Sequence, residues 1–538
     1  MSEPTTSRSG CALMLGVLLV VIGSILLAGN LFEFSLLGFW TQALVWFSLY
    51  WPVLLIIWGA TKIYQRVRDP GAARVGPGEV VLLILIVCAG VTLAAARYVA
   101  GNFASDFSLE DLLEIVEPEI SLGPAHRFSE EHVFELPEGG SLLVQNGRGE
   151  MTARGWDEDD LKVVVTKRVY RHVENEARRL AENVAVRFEM TDEGDASLEM
   201  VREGDGRGTV ETDLELWVPR KTPLTMTNRR GAIRVSDLHA PLSLATSYDS
   251  IEVTEVEGRV TVDGRHGSIR IEGVVGEVEA RNRFGDLTVK DVTGDLLGET
   301  TSGTITVEQI AGTVRLSNRS SRICAIEISE SLTIEGSHTE VTVERVGADV
   351  AIQTSYRPVF VNDVEGRVTV EAHNSEVEIR LVRGDVEVES IHRPVTVVGV
   401  GGGVRVDAQH GAVRLDEIAG SIQVKNSDNP VEIDVFESSL SVESSHAPLR
   451  ISTDTLSGEL TLLTSYGDVN LSLPADSSFR LEARVKSGNI ESDFAESDWI
   501  RHEDGDAAEL EGSVGGGASP ISIQTSYGNV DIRRQGQR

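Results

Sequence analysis

Four side chains that could share a metal or a proton recur at one fixed spacing. His392, His410, Asp428 and His446 lie eighteen residues apart, one after the next. Zinc takes imidazole and carboxylate ligands, and side chains on adjacent strands could hold one ion between them. Zinc also needs ligands that converge, whereas an eighteen-residue row runs straight. The same place in the repeat is filled elsewhere by Tyr248, His266, Phe284, His338, Tyr356 and Tyr466. Free exchange among Tyr, Phe and His fits a corner column of stacked, half-buried rings. The expectation is therefore a structural row, with no resident metal or cofactor.

Other chemistry is sparse. HEDGDAAELE, 502–511, gathers Asp504, Asp506, Glu509 and Glu511 but lacks the spacing of an EF-hand loop, so it reads as a solvated acidic segment. GVGGGV, 399–404, lacks the lysine of a phosphate loop. The chain has no G-x-S-x-G, no H-E-x-x-H and no paired cysteine motif; Cys11, Cys88 and Cys324 are far apart. Carboxylates are spread over many outward positions rather than gathered. A net charge of −34 repels phosphate and argues against nucleic acid as a partner. No enzymatic activity is expected.

The elements that hold these residues follow from a repeat. The phrase TSYGNVDI at 525–532 returns as TSYGDVNL at 464–471, TSYRPVFV at 354–361 and TSYDSIEV at 246–253. From Thr246 to Glu443 the chain falls into lines of eighteen without insertion or deletion. The sixth place is aliphatic in every line, from Ile251, Ile269 and Leu287 to Val413 and Val431. Places eight, eleven, fifteen and seventeen are nearly as pure, and the places between are mostly charged or hydroxyl residues. Place thirteen is mostly glycine: Gly258, Gly276, Gly294, Gly312, Gly366, Gly384, Gly402 and Gly420. A short fixed period with strand alternation is the mark of a solenoid. Places six/eight and fifteen/seventeen make two strands, and place eleven adds a third inward residue. Place thirteen reads as a corner where glycine takes a positive φ. The array, 227–493, holds about fourteen coils at about 4.8 Å each, a rod of roughly 65 Å. Residues 127–226, with a helix in ENEARRLAENV, read as an N-terminal α/β cap. Residues 494–538 read as an acidic, Gly-rich loop and terminal strands.

The head of the chain is different. Of the apolar runs at about 11–29, 41–61 and 79–98, the first two are of a length to cross a bilayer, the third reaches it only with flanks such as Glu79 and Arg97 in the interface, and the acidic stretch 105–126 links them to the rest. Trp40, Trp46, Trp51 and Trp58 cluster at the second run, as at a membrane interface. Lys62, Arg66, Arg68 and Arg74 fill the loop before the third run. With three spans, the positive-inside rule places the N-terminus in the cytoplasm and the solenoid on the other side of the cell (inner) membrane. The fold class is therefore mainly β: transmembrane helices followed by a β-solenoid with an α/β cap.

Two resemblances attach to these residues. GCALMLGVLLVVIGSILLAGN and YWPVLLIIWGA resemble the membrane module of bacterial Lia-type envelope-stress proteins. GSLLVQNGRGEMTARGWDEDDLKVVVTK, LELWVPRKTPLTMTNRRGAIRV and GSVGGGASPISIQTSYGNVDI resemble the bacterial putative-adhesin domain built of β-strand repeats. These resemblances imply a membrane-anchored, adhesin-like scaffold of the envelope, with a protein or envelope polymer as partner and end-to-end self-association as a further expectation. The alternatives they leave are a stress-sensing regulator of a membrane kinase and a solenoid enzyme acting on surface polysaccharide.

Overall fold

The computed structural model describes residues 124–535, apart from 138, 192–193, 203–209 and 495–498. The three apolar runs lie outside the described residues. Among the described residues no helix is long and apolar enough to cross a membrane.

Each coil is two short strands, because alternation lasts only five to seven residues before a corner breaks it. Val260–Gly264 buries Val260 and Val262, and Ile269–Val275 buries Ile269, Ile271 and Val274. Each strand pairs in parallel with its equivalent in the next coil, eighteen residues on in the regular array and twenty at its last step: Val260 faces Val278 in the front sheet, Ile251 faces Ile269 in the back sheet, and Leu440 faces Leu460. The inward residues of both sheets form one continuous aliphatic core. Fourteen coils succeed one another in this way from Leu224 to Leu473.

Strict alternation would turn place eleven outward after place eight. The chain resets its parity with a left-handed residue at place ten: Glu255 (φ 54), Asp291 (φ 55), Gln309 (φ 59), Leu381 (φ 55) and Glu417 (φ 56), with Gly273 (φ 69) and Gly399 (φ 72) in the same column. A non-glycine residue pays roughly 1–2 kcal/mol for this geometry. Burying the aliphatic that follows, such as Val256 or Val382, contributes more, about 1.5–3 kcal/mol. This corrects the expected role of the place-thirteen glycines. Only Gly258 (φ 147) and Gly276 (φ 150) of that column have φ in the left-handed range. The column is glycine because backbones there nearly touch: a Cβ on Gly294 would lie 2.4 Å from the Gly276 carbonyl oxygen, and one on Gly420 2.3 Å from that of Gly402.

Polar groups at the corners are paired from coil to coil. Asn282, Asn318 and Asn426, all buried, each donate an amide hydrogen to a carbonyl fifteen residues earlier at 2.7 Å. Asp295, Asp349 and Asp385 each accept the backbone N–H of the residue eighteen positions on, at 2.8–2.9 Å. Exposed ion pairs such as Arg281–Glu299 and Lys290–Glu308 repeat between coils, and each contributes little.

At both ends spatial order departs from chain order. In the front sheet Leu142–Arg148 lies between Ala196–Arg202 and Leu224–Arg230, so the earliest coil sits inside a later one. At the other end Ser519–Tyr527 lies between Leu460–Tyr466 and Phe479–Ser487. Its companion Val530–Arg534 lies between Val469–Leu473 and Ile490–Ser492 in the back sheet. The last coil of the chain is thus an inner coil. Antiparallel strands cover the N-terminal end, with Asp160–Tyr170 and Ala125–Glu135 on the back sheet and Val184–Met190 on the front sheet; at the C-terminal end the front sheet is closed by Ala507–Val514 with Ile500–Asp504. The last two are strands where the composition had read as a loop. The helix Glu174–Glu182 packs Ala177 and Ala181 on Val169 over the N-terminal end.

Candidate functional site

The corner row joins the two sheets along one edge of the rod. Four of its ring-bearing residues hold a conformation that bulky side chains rarely adopt: His338 (φ 60), Tyr356 (φ 68), His392 (φ 72) and His410 (φ 60) are left-handed. Rings of neighbouring coils stack along the row with or without that bend. Tyr248 stacks on His266 at 5.4 Å between centroids, and His266 on Phe284 at 5.0 Å. The row then breaks at Ser302 and Ser320; Ser320 lies within Val314–Ile328, a continuous strand that pairs in the front sheet and, past the corner, in the back sheet. It resumes with His338 on Tyr356 at 4.6 Å.

The last stretch contains all four residues singled out for metal chemistry. His392 stacks on His410 at 5.2 Å. Asp428 then receives an imidazole from each side: His410 Nδ1 contacts one carboxylate oxygen, and His446 Nδ1 lies 3.3 Å from the other. His446 stacks on Tyr466 at 5.0 Å, and Tyr466 on Tyr527 at 4.9 Å. The carboxylate fills the gap between two rings rather than closing a cage with them. Among the described residues no group of three His, Cys, Asp or Glu side chains is arranged to hold a metal ion. The spacing placed these residues in one row, but the His–Asp–His contact needed the register of the coils. Tyr527 joins the row only because its coil is inserted beside Tyr466.

Burial, then the charges of Arg265 and Arg283, push the His266 imidazole below its usual range. The unfolded chain therefore takes up a proton that the folded chain refuses. Stability from this residue is present above the ordinary imidazole range and is lost as pH falls through it. His266→Phe, which keeps a ring between Tyr248 and Phe284, is expected to lose less stability than the parent between pH 7.5 and 5.5. Equal losses in denaturant melts of the two proteins would remove the assignment.

The acidic segment 502–511 lies in two paired strands rather than in a loop. It forms the turn and flanks of the terminal hairpin, and Arg484 neutralises part of it through Glu509 at 2.6 Å and Glu511 at 3.6 Å. That hydrogen bond holds the Glu509 carboxyl below its usual range. Cys324 lies half-buried on the outward side of the back sheet, and burial raises its thiol. It is expected to react with iodoacetamide at pH 8 several-fold more slowly than a free cysteine. Alkylation at the free-thiol rate would contradict the packing around it.

No curated protein matches the chain. Three solved structures align over much of it at low identity. A "putative cell adhesion protein" from Clostridium sporogenes is 10% identical, with 76% of this chain and 100% of that chain covered and a TM-score of 0.14. A "putative adhesin" from Parabacteroides merdae is 10% identical over 60% of this chain and 97% of that one, with a TM-score of 0.21. A "putative lipid binding protein" from Parabacteroides distasonis is 11% identical over 61% and 97%, with a TM-score of 0.16. Residues 326–533, the C-terminal half of the solenoid with its inserted last coil, match the family model Toastrack DUF4097.

Proposed function

We propose that this chain is a membrane-anchored, non-enzymatic interaction protein of the bacterial envelope, adhesin-like, which binds through the outward faces of its solenoid. The observation that carries this reading is the in-register array itself. Fourteen successive coils hold polar side chains in straight rows on a rigid aliphatic core, a long surface suited to an extended partner. Nucleophile, base and oxyanion donors do not converge among the described corner residues, which stack on one another instead. Antiparallel strands close both sheets at the N-terminal end and the front sheet at the C-terminal end, which disfavours continuation of those edges into a second copy. Anchoring rests on the apolar runs 11–29, 41–61 and 79–98, and an extracytoplasmic solenoid on the basic loop at Lys62–Arg74.

Protease treatment of spheroplasts expressing the full chain with a C-terminal tag tests the orientation. Digestion of the tag without lysis is expected. Protection until lysis would put the solenoid in the cytoplasm and defeat an envelope-facing role.

A further inference from the structure

A groove of about 560 Å³ opens on the outward front sheet near the C-terminal end, where the terminal hairpin borders the last coils. One row of cross-strand neighbours runs along it: Glu443, Leu463, Gln524, Arg484, Glu509 and His502. The next outward position supplies the hydroxyls of Ser445, Ser465 and Ser526 and the ammonium of Lys486. Arg484 is already engaged by Glu482, Glu509 and Glu511. Among the described residues, the side chains of Glu443, Lys486 and Gln524 have no hydrogen-bond or ion-pair partner.

The charges that line this groove nearly cancel. Arg484 and Lys486 face Glu443, Asp504 and Glu509, so the lining is nearly neutral in a chain of net charge −34. Such a lining attracts neither a polyanion nor a polycation by charge. It offers free donors and acceptors at the strand spacing of about 4.8 Å. An aromatic face lies beside it. The corner row of rings ends at Tyr527, which is 52% exposed and follows Ser526 of the groove. One face of Tyr527 is covered by Tyr466, and its neighbour in the next strand is Ser487, which has no ring.

From this geometry we propose that the groove binds an uncharged, hydroxyl-rich glycan strand, its hydroxyls on Gln524, Ser526 and Lys486 and an apolar sugar face on Tyr527. The proposal deepens the interaction reading above and rests on it.

The test is binding of the purified full-length chain in detergent to hexamers of glucose, N-acetylglucosamine, mannose and galactose, with oligogalacturonate as the anionic comparison. At least one uncharged hexamer is expected to bind. Gln524→Ala/Ser526→Ala and, separately, Tyr527→Ala are each expected to weaken it about tenfold, as loss of two hydrogen bonds or a stacking face would. Gln423→Ala, on the same sheet outside the groove, is expected to leave binding unchanged. Thermal midpoints of the variants within about 2 °C of the parent exclude misfolding as the cause. Binding that the groove variants do not weaken would overturn the site while leaving the interaction reading standing. Binding of oligogalacturonate alone, or of no sugar, would overturn the ligand class. Neither result bears on orientation, which the spheroplast experiment decides by itself.

Discussion

Deletion of residues 519–538 is expected to release the chain from Phe479 onward while the coils before Leu440 stay folded. Ser519–Tyr527 and Val530–Arg534 are the layer on which Phe479–Ser487 and Ile490–Ser492 pair. The deletion removes Ile521, Ile523, Val530 and Ile532, all fully buried. At about 1.5–3 kcal/mol for each aliphatic, the lost burial is roughly 6–12 kcal/mol. That is comparable to the whole stability of an ordinary domain. It also removes Asn529, whose backbone N–H is capped by Asp468 at 2.8 Å and whose side chain accepts the Asn489 N–H at 3.0 Å. Contacts in a solenoid run only between neighbouring coils, so the loss stays local. Limited proteolysis should cut within 479–514 and leave 224–440 intact. Hydrogen exchange should show the same boundary. Protection of 479–492 equal to the parent's would mean that this coil closes up directly onto Leu460–Tyr466, and that the inserted layer is not required.

The second large effect separates two glycines three residues apart. Gly402→Ala is expected to destabilise its region by about 3 kcal/mol, the upper end of overpacking. A Cβ there would lie 2.5 Å from the Gly384 carbonyl oxygen and 2.6 Å from Asp385 Oδ1, the carboxylate that accepts the Gly403 N–H. Relief would require the coils to move apart, and parallel pairing does not permit this without loss of hydrogen bonds. Gly399→Asn is expected to cost less than about 1 kcal/mol, although Gly399 is the one with a left-handed φ of 72. The nearest atom to its added Cβ is a Leu381 methyl at 3.3 Å, which can give way, and Leu381 and Glu417 already occupy the same place without being glycine. Denaturant melts followed by hydrogen exchange in 386–418 would measure both. The opposite ranking would mean that conformation, not close approach, selects glycine at place thirteen.

The two glycines also mark a limit of sequence reading. A column of glycine announces that a side chain is excluded, but not whether torsion or contact excludes it. At place thirteen the cause is another stretch of backbone, visible only once coils are stacked. At place ten nothing in residue type betrays the left-handed bend, since Glu, Asp, Gln, Leu and Arg all occur there. Any of them can take the strained conformation when the next aliphatic is buried by doing so.

The corner row was legible as a row, because residues eighteen apart must be neighbours once the period is a coil. Its contacts were not. Asp428 between His410 and His446 is one more member of the column on paper, and in space it is the carboxylate both imidazoles approach. The groove was less legible still. Gln524 and Arg484 face each other although forty residues and a hairpin separate them.

What the sequence by itself determined is the coil: its length, its inward aliphatics, its corner row and its polar outer faces. A solenoid repeats one set of neighbour contacts, so the same constraint recurs every eighteen residues and becomes a column. What only the tertiary structure decided lies at the ends. There the repeat meets no further copy, and a coil must be chosen to face the cap. The phrase TSYGNVDI recurs beyond the regular array because its coil returns to stack on TSYGDVNL, with Tyr527 over Tyr466. That return is set by which layer can bury the exposed aliphatics of its neighbours, a property of the stacked whole and not of any single line of the repeat.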